Sequence, residues 1–135
     1  MDFYGEVAIN NESDVIVVRK AVREAASQLN FSLTDVTRIV TAASELARNV
    51  FLYAGSGVMK WRALNGGSEL GMELRFEDHG PGIPDLEQAM AEGYSTSGGL
   101  GLGLPGSQRL MDEMEVSSKS GAGTTIVARK WQRRR

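Results

Sequence analysis

Gly57-Val-Met-Lys-Trp-Arg-Ala-Leu-Asn65-Gly66-Gly67-Ser-Glu-Leu-Gly-Met-Glu-Leu-Arg-Phe-Glu-Asp78-His79-Gly80-Pro81-Gly82 contains two short alternating runs, 57–64 and 69–77, either side of an Asn-Gly-Gly turn. Alternation is the period of a half-buried strand, and Asn-Gly supplies the positive φ that a tight hairpin turn needs. A hairpin here has no helix between its strands. That counts against a doubly wound nucleotide fold, in which strands and helices alternate. The acid and two glycines that follow the second run mark a strand end where something other than packing is at work.

Working outward toward the N-terminus, Phe3 to Ile9 reads as a short edge strand. From Glu12 to about Leu29, Val15, Val18, Val22, Ala25/Ala26 and Leu29 recur every three to four residues, as on an amphipathic helix. Ser32-Leu-Thr-Asp35 is a capping box for a second helix running to about Tyr53, with Val36, Ile39/Val40, Ala43, Leu46/Ala47 and Val50 as its core stripe and Gly55 as its stop. Toward the C-terminus, a third helix is expected from Leu104/Pro105 to Glu113. Strands at Glu115–Lys119 and Thr124–Lys130 then close the chain around Ser120-Gly-Ala-Gly123. The sum is an α/β chain of the α+β type, 1–135 as a single domain: a two-layer sandwich with a three-helix layer on a mixed, mostly antiparallel sheet.

Bulk properties exclude several function classes. A chain of 135 residues that is 41% hydrophobic and 24% charged can bury a core without staples. With no cysteine there is neither a disulfide scaffold nor a thiolate metal site, and one histidine, His79, cannot support a metal cluster. No apolar run approaches the ~20 residues of a membrane span, and Met1-Asp-Phe-Tyr-Gly-Glu lacks a signal-peptide layout. A cytoplasmic protein is expected, with no membrane partner. Net charge is −2, and the only basic run, Lys130-Trp-Gln-Arg-Arg-Arg135, reads as a solvated end, so no nucleic-acid partner is expected. Glycine is in excess: 16 residues, where average usage gives about nine or ten. Most of the surplus lies between Gly80 and Gly123.

On the second helix Thr37, Thr41, Glu45 and Asn49 follow at i, i+4 and form a polar stripe. A half-buried Glu45 would need a cation, donor or water beside it; taken alone, the helix is better explained by a solvent-facing stripe. Asp78-His-Gly80-Pro-Gly82 puts a carboxylate at a strand end with close backbone behind it, an arrangement able to accept from an exocyclic amine, or simply a tight turn. In Ser95-Thr-Ser97-Gly98-Gly99-Leu100-Gly101-Leu102-Gly103-Leu104-Pro-Gly106, successive glycines before a helix bare backbone N–H groups for phosphates. No Gly-Lys-Ser/Thr follows, so it is not a Walker loop. The intervening 83–97 would span from one end of such a ligand to the other, as a cover or as a plain surface loop. Gly121-Ala-Gly-Thr124-Thr125 opens the last strand, and a threonine hydroxyl there could reinforce the Asp78 carboxylate directly or through water, though the motif is equally good as a hairpin turn.

The order of these motifs resembles the Bergerat-fold ATPases: Glu-x-x-x-Asn on a helix, Asp-x-Gly-x-Gly after a strand, Gly-x-Gly-x-Gly before a helix, then Gly-x-Gly-Thr before a strand. Ser44-Glu-Leu-Ala-Arg-Asn49, Leu52-Tyr-Ala-Gly55 and Gly93-Tyr-Ser-Thr-Ser-Gly-Gly-Leu-Gly101, with Leu104-Pro-Gly106 and Arg109-Leu-Met-Asp-Glu113, are similar to the RsbT-type switch kinases of bacterial stressosomes. The resemblance implies ATP and Mg²⁺ as cofactors and a Bergerat ATP-binding fold. It further implies phosphorylation of serine or threonine on STAS-domain scaffold or antagonist proteins, followed by release to activate a downstream phosphatase or cyclase. By the same resemblance Glu45 is the general base, Asn49 the Mg²⁺ ligand, and Asp78, with Thr124 beside it, the adenine acceptor. Gly80 and Gly82 admit the base, and Ser97, Gly98, Gly99, Leu100, Gly101, Leu102 and Gly103 bind ATP, with Gly99, Gly101 and Gly103 around the phosphates. The cover segment contains no lysine or arginine for the γ-phosphate, which leaves Arg48 and Arg109 as the nearest cations. The alternative is an anti-sigma factor or binding switch whose nucleotide tunes affinity with little kinase activity; a third possibility is an ATPase fragment without a protein substrate.

Overall fold

Met72, Leu74 and Phe76 are buried, while on the alternate face Arg75 is exposed and Glu77 half-buried. The strand that carries them, Leu70–Asp78, therefore has one face for a core and one for water. In the computed structural model, which describes residues 4–82, 104–119 and 121–132, this strand is third of five. The strands are β1 (Tyr4–Ile9), β2 (Gly57–Asn65), β3 (Leu70–Asp78), β4 (Glu113–Lys119) and β5 (Gly123–Trp131), in the order β1-β2-β3-β5-β4. The hairpin read from Asn65-Gly-Gly is present, its ladder running from Asn65↔Leu70 to Gly57↔Asp78.

All four ladders are antiparallel, where a mixed sheet was expected. The reason is topological. After β3 the chain crosses to the far edge through α3 (Leu104–Leu110) and β4, and β5 then returns between β3 and β4, so these two strands, which run in the same direction, never touch.

Among the described residues the helix layer consists of α1 (Asp14–Gln28), α2 (Leu33–Asn49) and α3. Ser32 Oγ accepts from the Asp35 N–H at 3.1 Å, the cap foreseen in the sequence. The expected core stripes are those observed: Val18 and Val22 of α1 and Ile39 and Leu46 of α2 are wholly buried against Met59, Leu74 and Phe76 of the sheet. Helix α2 ends as an α-helix at Asn49 and continues as a π-helical turn, Val50–Ala54. Gly55, at φ 84°, then closes it. Single π turns recur where a helix must re-aim side chains at a site.

The basic end of the chain is not merely solvated. Lys130 is buried; its Nζ donates to the Leu110 carbonyl at 2.9 Å, with Asp112 at 3.5 Å and Asp35 at 3.9 Å. One ammonium thus ties β5 to the end of α3 and the start of α2. Lysine reaches this place because its stem packs like an aliphatic chain while its head meets two carboxylates and a helix-terminal carbonyl. The Ser107 hydroxyl on α3 is buried with no hydrogen-bond partner among the described residues.

The face of the sheet away from the helices is held by charge. Arg62, Glu73, Arg129 and Glu113 lie opposite one another on four adjacent strands. The buried Glu73 carboxylate takes Arg62 Nε at 2.9 Å on one oxygen and Arg129 Nε at 2.9 Å on the other. Burial alone would raise the Glu73 pKa and is the largest single influence on it, but hydrogen bonds and charge from the two arginines together outweigh it and hold the carboxyl below its usual range. A group with a depressed folded pKa stabilises the fold above its unfolded value of ~4.3 and loses that contribution as pH falls through the folded value. Urea titrations of wild type and Glu73→Gln should therefore differ most at neutral pH and converge below about pH 4; a gap that is constant with pH would contradict the ion-pair account.

Candidate active site

One row of residues crosses the end of the sheet: Ile9, Gly57, Asp78, Thr124 and Ser118, each opposite the next. Because α1 begins just after Ile9 and the π turn ends just before Gly57, the start of α1 and the end of α2 lie at this same end. The sequence therefore brings Asn49, Asp78 and Thr124 together from three different elements.

Asp78 is fixed by backbone. Its Oδ1 accepts from Gly80 N–H at 2.9 Å and from Thr124 N–H at 3.2 Å, while Oδ2 accepts from no donor among the described residues. The Thr124 hydroxyl lies 3.1 Å from Ser118 Oγ, and the direct support to Asp78 comes from the Thr124 amide.

The glycines around it are demanded first by this clamp. A Cβ on Gly123, which sits at φ 93°, would lie 2.2 Å from the Asp78 carbonyl oxygen. Gly82, at φ 81°, would put one 2.4 Å from the Lys119 carbonyl oxygen. Gly121 N–H donates to the Pro81 carbonyl at 2.8 Å, so the two turns interlock. Gly80 lies against the π turn, where a Cβ would meet that of Ala54 at 2.6 Å. The sequence reading gave Gly80 and Gly82 to the approach of a base; in the structure their missing side chains already make room for Ala54 and Lys119.

Between these elements is a small, solvent-open cleft. Leu46, Asn49, Val50 and Tyr53 line it from α2 and the π turn, Phe76 and Asp78 from β3, Pro81 and Gly82 from the following turn, Leu104 from α3, and Thr124 and Ile126 from β5. Apolar walls with a few convergent polar groups are the usual build of a small-molecule site. Glu45 stands one turn before Asn49, half-exposed and outside the cleft wall, with Arg48 Nη1 3.9 Å away. Arg48 is exposed, and Arg109 lies in the last turn of α3, at the end remote from Leu104. Neither lines the cleft among the described residues. Ser97, Gly98, Gly99, Leu100, Gly101, Leu102 and Gly103, with the cover segment 83–97, lie outside the described residues.

Sequence reasoning missed Tyr53, Phe76, Leu104 and Ile126 as cleft residues because periodicity assigned them to a core or to a helix end. One signal was available for Tyr53: it lies four residues after Asn49, where a continued helix puts both side chains on one face.

Residues 9–130 match the histidine kinase-like ATPase domain family. The serine/threonine-protein kinase RsbT of Bacillus subtilis (strain 168) is 48% identical over 127 residues, which cover 94% of this chain and 96% of RsbT. The chain belongs to the RsbT-type serine/threonine kinases of that ATPase family. This kinase chain is also similar to the anti-sigma F factor of Thermoanaerobacter sp. (strain X514), 31% identical over 119 residues, 84% of this chain and 82% of that one. In fold it resembles the structure of the RsbU and RsbW domains of Rv1364c from Mycobacterium tuberculosis. That match has a TM-score of 0.65 at 18% identity, and it covers 100% of this chain and 34% of that one. It also resembles the catalytic domain of the histidine kinase ThkA, with a TM-score of 0.53 at 17% identity, covering 93% of this chain and 95% of that one. These two likenesses concern the fold alone. No helix among the described residues is long and apolar enough to cross a membrane, and the chain is of an ATP-binding kinase family, as its motif order implied.

The clamp around Asp78 leaves no room for a methyl group at residue 123. Gly123→Ala should cost roughly 2–4 kcal/mol from a strained φ and a backbone overlap, read as a lower urea midpoint with an unchanged slope; a midpoint within error of wild type would contradict the interlocked turns.

Proposed function

We propose that residues 1–135 act as one kinase domain that transfers the γ-phosphoryl group of Mg–ATP to a serine or threonine of a STAS-domain partner. The setting we propose is a cytoplasmic partner-switching pathway of the stressosome kind, after which the released kinase activates a phosphatase or cyclase. The observation that carries the nucleotide part is the Asp78 carboxylate: one oxygen is saturated by two backbone N–H groups and the other accepts from nothing among the described residues. An exocyclic amine is a fitting donor, and a hydrogen bond to a charged group is worth ~1.5–3 kcal/mol. The apolar walls from Phe76, Val50 and Ile126 suit the faces of a purine.

The partner part is supported by the likeness to RsbT and to anti-sigma F factors. Phosphoryl transfer needs positioning and charge neutralisation more than covalent chemistry. In this reading Asn49 offers its side-chain oxygen to Mg²⁺, which takes few protein ligands and neutralises phosphate charge when bound. Glu45, half-exposed on the same helix one turn away, accepts the proton of the attacking hydroxyl while the new O–P bond forms and the bond to the leaving ADP oxygen breaks. The glycines of residues 98–103 receive the phosphates before α3, and Arg48 or Arg109, or a cation of the partner, meets the γ-phosphate. The second reading, a nucleotide-tuned anti-sigma switch with little kinase activity, draws on the anti-sigma F likeness.

Incubation with labelled ATP, Mg²⁺ and a small STAS-domain protein of the same organism separates the two. The kinase reading expects label on a serine or threonine, and a stable complex without label favours the switch. Glu45→Ala should abolish transfer while ATP affinity, by calorimetry, stays within about twofold; loss of both together would remove Glu45 from the role of base. Asp78→Asn should weaken ATP by about tenfold or more, and unchanged affinity would remove Asp78 from the base site.

A further inference from the structure

Along β5 the side chains of Thr124, Ile126, Ala128 and Lys130 alternate onto the face that meets the helices, and all four are buried. The two-residue period of the strand thus puts a lysine where an apolar residue would be expected. Its side chain is 8% exposed. Its Nζ faces three oxygens: the Leu110 carbonyl at 2.9 Å, Asp112 Oδ1 at 3.5 Å and Asp35 Oδ1 at 3.9 Å. An ion pair buried where an apolar side chain would fit is weak as a source of stability. Its better use is to select one arrangement of the parts it joins.

The part joined here is the end of α3. Asp112, just beyond that helix, donates its N–H to the Arg129 carbonyl at 2.9 Å, and its Oδ2 accepts from the Trp131 N–H at 2.7 Å. Lys130 completes the clamp from between those two residues. The same ammonium reaches Asp35 in the first turn of α2, which Arg38 holds at 3.0 Å. Toward its start α3 is held by packing: Leu104 is buried in the core, and the buried Ser107 hydroxyl has no hydrogen-bond partner among the described residues. A helix that strands a hydroxyl in its middle is not placed by its own best contacts. The clamp at its end offsets that cost and decides where it lies. Leu104, at the other end of α3, lines the cleft with Asn49 and Asp78. A helix of seven residues is only about 10 Å long, so a shift at Leu110 is carried to Leu104.

We propose that Lys130 is a positioning residue for the phosphate half of the nucleotide. By bolting the end of α3 to β5 and α2, it fixes where Leu104 stands, and so where the glycine run that leads into Leu104 must end. The proposal rests on the nucleotide reading above. The base half depends on other parts, because the Asp78 carboxylate is held by the Gly80 and Thr124 amides. Loss of the bolt is therefore felt unequally, by the phosphates and not by the base. A misplacement of about 1 Å, made far from the reacting groups, is enough to cost a bound ligand much of its orientation.

Lys130→Met keeps the bulk of the stem and removes the ammonium. Wild type, Lys130→Met and Glu73→Gln are titrated by calorimetry with Mg–ATP and with adenosine, which carries base and ribose alone. Glu73→Gln is the control, because it loses its ion pairs on the opposite face of the sheet. Lys130→Met should bind ATP about tenfold or more weakly while adenosine stays within about twofold. Glu73→Gln should keep the wild-type ratio of the two affinities whatever its urea midpoint. Should Lys130→Met show no cooperative urea transition, Asp112→Asn, which weakens the same clamp, is judged by the same criterion in its place. Equal loss of ATP and adenosine, no loss of either, or the same change of ratio in Glu73→Gln overturns the positioning role and leaves the nucleotide reading standing. A wild-type chain that binds neither ligand overturns the nucleotide reading, and the positioning role with it.

Discussion

Two backbone N–H groups, from Gly80 and Thr124, converge on a single oxygen of Asp78. Donation from two amides fixes a carboxylate far more firmly than side-chain partners would, because the donors belong to turns that are themselves interlocked. Gly121 bonds to Pro81, and Gly82 and Gly123 fit against the Lys119 and Asp78 carbonyls at distances no Cβ tolerates. The hairpin of β2 and β3, the return of β5 between β3 and β4, and the π turn that packs Ala54 on Gly80 all serve to keep these two turns in register. The cleft is the space left beside that fixed carboxylate.

The two faces of the sheet are held by different physics. Toward the helices, burial of Met59, Leu74 and Phe76 against α1 and α2 supplies the driving force. Away from them, Glu73 sits between two arginines in a charged row across four strands. Such a row adds modest energy at an exposed face, but a buried Glu73 without its arginines would be costly, so it also fixes strand register. Lys130 links the layers: its contacts with Leu110, Asp112 and Asp35 set where α3 ends, and so where the helix that follows the glycine run begins.

How much of this was legible in the sequence depended on whether the signal was local. The hairpin, the Ser32 cap, the Gly55 stop and the apolar stripes of α1 and α2 rest on neighbours within a few residues, and each is present in the fold. The order of Glu45, Asn49, Asp78 and Gly121-Ala-Gly-Thr124 was legible too, and the chain's place among RsbT-type kinases agrees with it. What the sequence could not convey was long-range. That β5 would insert beside β3 and that the Thr124 amide would reach Asp78 depend on pairings across 46 residues or more of chain, and the burial of Lys130 in a basic tail depends on contacts with Leu110, Asp112 and the distant Asp35. Tyr53 and Phe76 looked like ordinary helix-end and core positions because an apolar cleft wall and an apolar core obey the same periodicity.

The fold thus places a rigid acceptor, an apolar slot and a half-exposed carboxylate at one end of the sheet. The central claim is that the second oxygen of Asp78 receives an exocyclic amine, and the nucleotide itself is the sharpest probe of it. Calorimetric titration of the wild-type chain with ATP and with inosine triphosphate, whose base carries an oxo group in place of that amine, compares a donor with an acceptor at the same position. A hydrogen bond to a charged group predicts that ATP binds roughly ten- to a hundredfold more tightly; equal affinity for the two nucleotides would contradict the account.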